Sequence, residues 1–328
     1  MIRHAMSSRT TAATSQIATN VGRSALRRAA RAVDGILLLD KPLGLSSNAA
    51  LQRARRAYGA AKAGHGGSLD PLATGMLPVC FGQATKTCGS LLGASKTYRA
   101  TIKLGTATQT ADAEGETIAT APVPELMPAL VDEVLASFVG VRTQIPPMHS
   151  ALKVAGRPLY ERARRGEVVD RAPRRIEIHS IARIAMGGEL LEVELRCSKG
   201  TYVRTLAEDL ATALGTVGHL AALRRLAVEP FGAARMIALD EVESLAERDP
   251  QRLADCLLPI DAALCDLEAI ELGPDQAAAL VHGQALQVEH APAGLVRAYD
   301  RSGRFLGLTD VSASGVVRVR RLFVPGVG

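Results

Sequence analysis

Asp70 is the residue best placed in this sequence for covalent or acid–base chemistry. It lies in the stretch Gly64 to Gly75, GHGGSLDPLATG. Four glycines let this backbone turn tightly and approach a ligand closely. Pro71 disfavours helical geometry at the residue before it, so Asp70 is held at a stiff, extended point. A carboxylate fixed in this way can serve as a nucleophile or a general base. Asp before Pro is also common in ordinary turns, and these twelve residues alone do not separate the two readings. Arg204, in GTYVRT, opens a predicted helix. A guanidinium within ~4–6 Å of a carboxylate lowers its pKa by roughly 1–3 units, and the positive end of the helix adds to this. Alone, Arg204 reads as a surface arginine. Tyr98 and Tyr202 are two of only five tyrosines, and alone they read as packing residues. His65, alone, reads as a turn residue.

The sequence around the loop changes these readings. Upstream stands GILLLDKPLGLSSN, Gly35 to Asn48; downstream stands KTYRATIKLGTATQTADAEG, Lys96 to Gly115. Further on come QIPPMHSALKVAGRPLYERAR at 144–164, CSKGTYVRTLAEDL at 197–210 and LRRLAVEPF at 223–231. From about residue 34 to the C-terminus, this order and spacing of motifs resembles the bacterial tRNA pseudouridine-55 synthase family, TruB. The resemblance implies isomerisation of uridine to pseudouridine in the T arm of tRNA. Asp70 is then the catalyst and Arg204 its partner. Tyr98 stacks on the target base, close enough for proton transfer. Tyr202 and Leu223 line the same pocket, and His65 fills the space that the flipped uridine leaves. Lys41 and Gly67 are further candidates for RNA contact, although the family suggests a mainly structural role for the turn that carries Lys41. No metal, nucleotide or redox cofactor and no protein partner is implied, and a monomer is expected. Two residues depart from the pattern. Gly66 stands where the family usually has Thr, which is expected to loosen the loop, and His149 stands where an aromatic is common.

Composition sets wider bounds. The chain of 328 residues is 47% hydrophobic, long enough for about two domains with sizeable cores. Aromatics are 3% with no Trp, so aliphatic residues must fill those cores. The net charge of +6 is carried by residues 1–33, which hold six arginines and no acid; the remainder is balanced. Nucleic-acid contact is therefore better sought in local clusters: Arg53, Arg55 and Arg56; Arg162, Arg164 and Arg165; Arg171, Arg174 and Arg175; Arg224 and Arg225; Arg318, Arg320 and Arg321. The five cysteines form no C-x-x-C pair, which supports neither a zinc ribbon nor a redox motif and fits a reducing cytoplasm. No apolar run approaches the ~18 residues of a membrane span, and no P-loop or dinucleotide-binding glycine pattern is present.

These side chains need elements to hold them. Residues 1–33 read as a disordered basic tail, with an organelle transit peptide or an overextended start as alternatives. A catalytic domain is expected over 34–264. Its strands are predicted at Ile36–Leu39, Met76–Phe81, Thr97–Leu104, Arg175–Ile184, Leu190–Cys197 and Leu220–Val228. Its helices are predicted from Ser46 or Ser47 to Tyr58, over Ala84–Leu92, over 124–138 with Leu126, Leu130, Val134 and Phe138 inward, and over Thr201–Leu214. Residues 146–175 look like the family's mobile RNA-gripping insertion. Four short strands with glycine turns follow at 285–288, 295–299, 304–308 and 316–322. The fold class is α+β: by resemblance, a pseudouridine synthase fold with a mixed sheet, plus a small β-rich PUA-like domain over 265–328. Two competing readings are a non-catalytic RNA-binding protein and a relative acting in a guide-RNA particle.

Overall fold

The computed structural model describes residues 32–150, 152–154, 156–163, 165–167, 169–232 and 234–323, so nearly all of the expected basic tail lies outside the described residues. The chain opens with β1 (Gly35–Lys41), α1 (Ser47–Tyr58), β2 (Ala63–His65), β3 (Ala73–Phe81), α2 (Cys88–Gly93) and β4 (Lys96–Leu104). β1 is apolar without alternation because both its faces are covered. Leu37 and Leu39 pack with Ala50, Leu51 and Val242, while Ile36 and Leu38 pack with Met76, Leu91 and Val228. Ser46 caps α1, its Oγ accepting from Ala49 N at 3.1 Å. Gly59, in the left-handed region at φ 61°, ends the helix.

A mixed nine-stranded sheet forms the larger body. Its order is Ile237–Ala238, β1, β3, Gly218–Val228, β4, Leu190–Cys197, Arg174–Gly187 and Gly140–Gln144, with β2 added to β3. The strand Gly218–Val228 lies in the middle, parallel to β3 and antiparallel to β4. The helix Val203–Ala213 buries Val203, Leu206, Ala207, Leu210 and Ala211 against this sheet. Leu239–Arg248 and Pro250–Asp255, two helices outside the predicted set, close over β1 and α1.

The predicted helix over 124–138 is shorter, Pro128–Ser137, because the residue before a proline is biased out of helical geometry. Its inward face is Val131 and Leu135, and Leu130, expected inside, is 47% exposed. A second, five-stranded sheet comprises Ala269–Leu272, Gly294–Asp300, Phe305–Val311, Val316–Leu322 and Leu286–Gln287 in spatial order, with its own core of Ile270, Leu272, Leu280, Val296, Leu306 and Val317. The strand Ala269–Leu272 and the helix Pro274–Val281 were not predicted. The two bodies meet where Lys86 Nζ donates to Leu322 O at 2.6 Å and Tyr299 OH donates to Asp261 Oδ2 at 2.5 Å. The architecture is α+β, as expected.

Candidate active site

Asp70 lies on the loop between β2 and β3, and neighbouring elements hold that loop from three sides. From α1, Ser47 Oγ donates to Leu69 O at 2.9 Å and accepts from Leu69 N at 2.7 Å. From the turn after β1, Gly44 N donates to Pro71 O at 2.8 Å. From the central strand Gly218–Val228, Arg225 Nη2 donates to Gly67 O at 3.1 Å and Nε to Met76 O at 2.6 Å. Inside the loop, Ala73 N donates to Asp70 O at 3.0 Å, so the stretch is a turn as well as a candidate site.

Two sequence expectations are corrected here. Lys41, a candidate for RNA contact, is fully buried. Its ammonium donates to Leu45 O at 2.6 Å and Pro42 O at 3.0 Å and lies 3.5 Å from Pro71 O, so it braces the turn. Burial pushes its pKa down to about 8. The pair Arg224 and Arg225, grouped for phosphate contact, is also committed internally. Arg224 forms a two-pronged bond to Asp40, and Arg225 is 1% exposed. Arg53 is likewise engaged, by Glu243.

The structure brings Arg204 to Asp70. Arg204 is the second residue of its helix and is 6% exposed. Its Nη2 lies 2.9 Å from Asp70 Oδ2, and its Nη1 lies 3.4 Å from Asp112 Oδ2. The same guanidinium donates to His149 O at 2.7 Å and Thr110 O at 3.3 Å. His149 thus contributes its backbone carbonyl to this arrangement, a contact its side-chain departure from the family pattern leaves intact. Asp112 is the residue sequence reasoning missed. It stands in the quoted run TADAEG, is 3% exposed, and accepts from Thr110 Oγ1 and from Glu114 N at 3.1 Å.

The expected lowering of the Asp70 pKa is outweighed. Arg204 and Lys41 pull it down, but desolvation in the cleft, aided by Asp112, pushes it above the ordinary aspartate value. Nearly half of the Asp70 side chain still faces solvent, so the carboxylate is enclosed by protein yet reachable.

Asp70 forms part of the wall between two cavities. One, of about 310 Å³, is lined by Tyr98, Tyr202, Leu223, Gly67, Lys96 and Arg225 together with Asp70 and Arg204. The other, of about 600 Å³, carries His65, Ser47, Asn48, Asp112, Glu114 and His149. Tyr98 comes from β4 and Leu223 from the strand paired with it, so side chains distant in sequence face one space. Tyr202 precedes the helix of Arg204, and its backbone is clasped by Gln144 at 2.8 and 3.1 Å. Burial pushes the Tyr98 phenol up, so it is protonated at neutral pH, and lowers the pKa of His65. Among the described residues, no group of three His, Cys, Asp or Glu side chains could hold a metal ion.

Gly66 departs from the family pattern for a local reason. A Cβ placed there would lie 2.6 Å from Leu91 Cβ, so the Leu91 side chain occupies the room a larger residue would need. The loop is packed at this point, against the expected loosening. Gly66→Thr should cost roughly 1–3 kcal/mol by overpacking. In a Leu91→Gly background, which removes that Cβ as well, the same change should cost at least about 0.5 kcal/mol less, because the two sites share one space. Urea unfolding of the four proteins checks this; strict additivity would remove Leu91 from the explanation.

Comparison with known proteins accords with this geometry. Residues 55–203 match the profile described as TruB family pseudouridylate synthase (N terminal domain). Residues 204–265 match the tRNA pseudouridylate synthase B C-terminal domain, and 269–323 match Pseudouridine synthase II TruB, C-terminal. A tRNA pseudouridine synthase B from Azoarcus sp. (strain BH72) is 48% identical over 299 residues, spanning 91% of this chain and 97% of the relative. One from Aromatoleum aromaticum is 49% identical over 296 residues, spanning 90% and 94%. Among solved structures, a Cbf5-Nop10-Gar1 complex aligns with a TM-score of 0.68 at 24% identity, covering 89% of this chain and 85% of that one, a likeness of fold. No helix among the described residues is long and apolar enough to cross a membrane. With curated relatives at nearly half identity along nine-tenths of its length, the chain belongs to the TruB family of pseudouridylate synthases, which are isomerases.

Proposed function

We propose that this enzyme converts uridine 55 in the T loop of tRNA to pseudouridine, with Asp70 as the catalytic carboxylate. The observation that carries the reading is Asp70 itself, half-exposed on Arg204 at 2.9 Å and facing a cavity lined by Tyr98, Tyr202 and Leu223. The names of the relatives support tRNA as the substrate. In this reading the uridine leaves its stack and enters the cavity beside Tyr98. Stacking on an aromatic contributes about 1–3 kcal/mol per base and helps offset the cost of flipping. The N1–C1′ bond breaks, the base rotates, and C5 joins C1′. Asp70 attacks the sugar or the base, or assists elimination. Arg204 holds the carboxylate in place, and His65 occupies the gap the base leaves in the T loop.

The rest of the chain is assigned to holding RNA. Residues 34–264 form the catalytic domain, with 146–175 as a segment that grips RNA, and 265–328 form a PUA-like module that touches tRNA away from the target base. The enzyme acts as a monomer in the cytoplasm, without a protein partner. Arg174, Arg175 and Arg318 are exposed and available to phosphates, while Arg320, also exposed, lies 3.5 Å from Asp310 Oδ2. Binding to unmodified tRNA should therefore weaken steeply between 50 and 200 mM salt, by about tenfold or more if several phosphates are contacted. Filter binding across that range checks this, and a flat response would contradict it. The modification itself is tested by mapping pseudouridine in tRNA from cells with and without the gene. Loss confined to position 55 supports the assignment. Unchanged tRNA would leave a protein that binds RNA without modifying it.

A further inference from the structure

Four cations at the site are buried: Lys41, Lys96, Arg204 and Arg225. Arg204 is matched by two carboxylates, and Lys41 faces the turn beside the loop. Lys96 and Arg225 differ, because both line the cavity with Tyr98, Tyr202 and Leu223 and neither ion-pairs with a carboxylate among the described residues. Lys96 Nζ donates to the carbonyls of Leu91, Leu92 and Ala94 at 2.9, 3.0 and 2.6 Å. Arg225 donates to the carbonyls of Met76 and Gly67 and lies 3.5 Å from Ser68 O. Carbonyl dipoles satisfy the hydrogen bonds, but they do not neutralise the charge. A buried cation without a counter-ion is costly, and the cost rises when two of one sign stand near each other. Such an arrangement is expected where a negative charge will appear.

Where Asp70 attacks the sugar or assists elimination, the reaction assigned above produces that charge at one stage. When N1–C1′ breaks, the bonding electron pair leaves with N1. The base is then a uracil monoanion, its charge spread over N1, O2 and O4. When C5 bonds to C1′, the ring gives up its C5 proton and N1 takes one, so the product is an isomer of the substrate. We propose that Lys96 and Arg225 form a fixed electropositive wall that stabilises the detached uracil anion while it turns. Their positions are held rigidly by backbone carbonyls, so the field exists before the charge forms and costs no reorganisation when it does. Both act as electrostatic and positioning residues. This inference rests on reading the cavity as the base site.

The test uses the leaving group. A 5-fluoro substituent withdraws electrons and stabilises the uracil anion by itself, so a fluorinated base depends less on the protein's field. Single-turnover rates are measured on tRNA carrying uridine or 5-fluorouridine at the target, read as loss of the original nucleoside after digestion, since fluorine blocks the final proton loss. Lys96→Met and Arg225→Met should slow the uridine substrate about 100-fold and the fluorinated one markedly less, with tRNA affinity unchanged. Lys96→Arg and Arg225→Lys keep the charge and should recover most of the rate. If Arg225→Met does not fold, the Lys96 variants and Arg225→Lys carry the test. Equal slowing of both substrates, an unchanged rate, or no recovery with charge-keeping variants would overturn the proposal. Asp70→Asn is run beside them as a control. Its inactivity together with equal slowing refutes the electropositive wall alone; its full activity refutes the cavity assignment itself.

Discussion

Asp70→Asn should reduce pseudouridine formation to background while leaving tRNA binding within a few-fold of wild type. Asparagine keeps the size of the side chain and removes its charge and nearly all its nucleophilicity. Affinity comes mainly from phosphate contacts and base stacking, which the change does not touch. The measurement is tritium release from 5-tritiated uridine in tRNA, beside filter binding on the same protein. Turnover near the wild-type rate would remove Asp70 from the mechanism. The variant should also be at least as stable as wild type at neutral pH. The carboxyl of Asp70 is raised above its ordinary value, so the fold favours its protonated form. That contribution is present below the unfolded pKa and is lost as pH rises through the folded one. At neutral pH the ionised group therefore works against folding, and a neutral amide relieves this. Calorimetry at pH 7 reads the sign, and a Tm well below wild type would make the Asp70–Arg204 pair a net stabiliser. The same raised value predicts that the wild-type rate falls, as pH is lowered, earlier than for an unperturbed aspartate.

Arg204→Met should abolish activity and destabilise the protein together. Arg204 holds Asp70, and it is also the cation that Asp112 meets in the interior. Removing it leaves a carboxylate that is 3% exposed with, among the described residues, Thr110 and the Glu114 amide as its remaining partners. Breaking a buried pair from one side costs about 3–5 kcal/mol, a fall in Tm on the order of 10 °C for a body of this size. The two effects can be separated. Adding Asp112→Asn to Arg204→Met removes the stranded charge, so stability should largely return while activity does not. Thermal melts and tritium release on the single and double variants form the cycle. Recovery of activity in the double variant would mean that Arg204 acts only by neutralising Asp112, and that Asp70 does not need it.

The linear chain carries local information well. The apolar run Ile36 to Leu39 predicts a strand, and β1 contains it, longer at both ends and buried on both faces. Ser46 or Ser47 ahead of the helical stretch predicts the start of α1 to within one residue, and the structure makes Ser46 the cap. The resemblance of the motifs names the family, and relatives matched over most of the chain bear it out. Asp70 and Arg204 are singled out by the resemblance of the motifs, because locally the one reads equally as a turn residue and the other as a surface arginine. Boundaries fail where a single residue decides them, as Pro128 does for its helix.

Tertiary structure alone decides which charges face inward and whom they meet. Lys41 and Arg225 read as cations for RNA, yet both are buried struts beneath the Asp70 loop. Arg225 reaches Gly67 across 158 positions of sequence, a distance over which no periodicity carries a signal. Asp112 joins Arg204 only when the chain past β4 folds back beside the helix Val203–Ala213. The sign of the Asp70 shift depends on the same folding. A neighbouring arginine lowers a carboxyl's pKa, but the surrounding protein and a second carboxylate raise it further than that arginine lowers it. Desolvation is a property of everything packed around a group, so it exists only once the chain has closed over it.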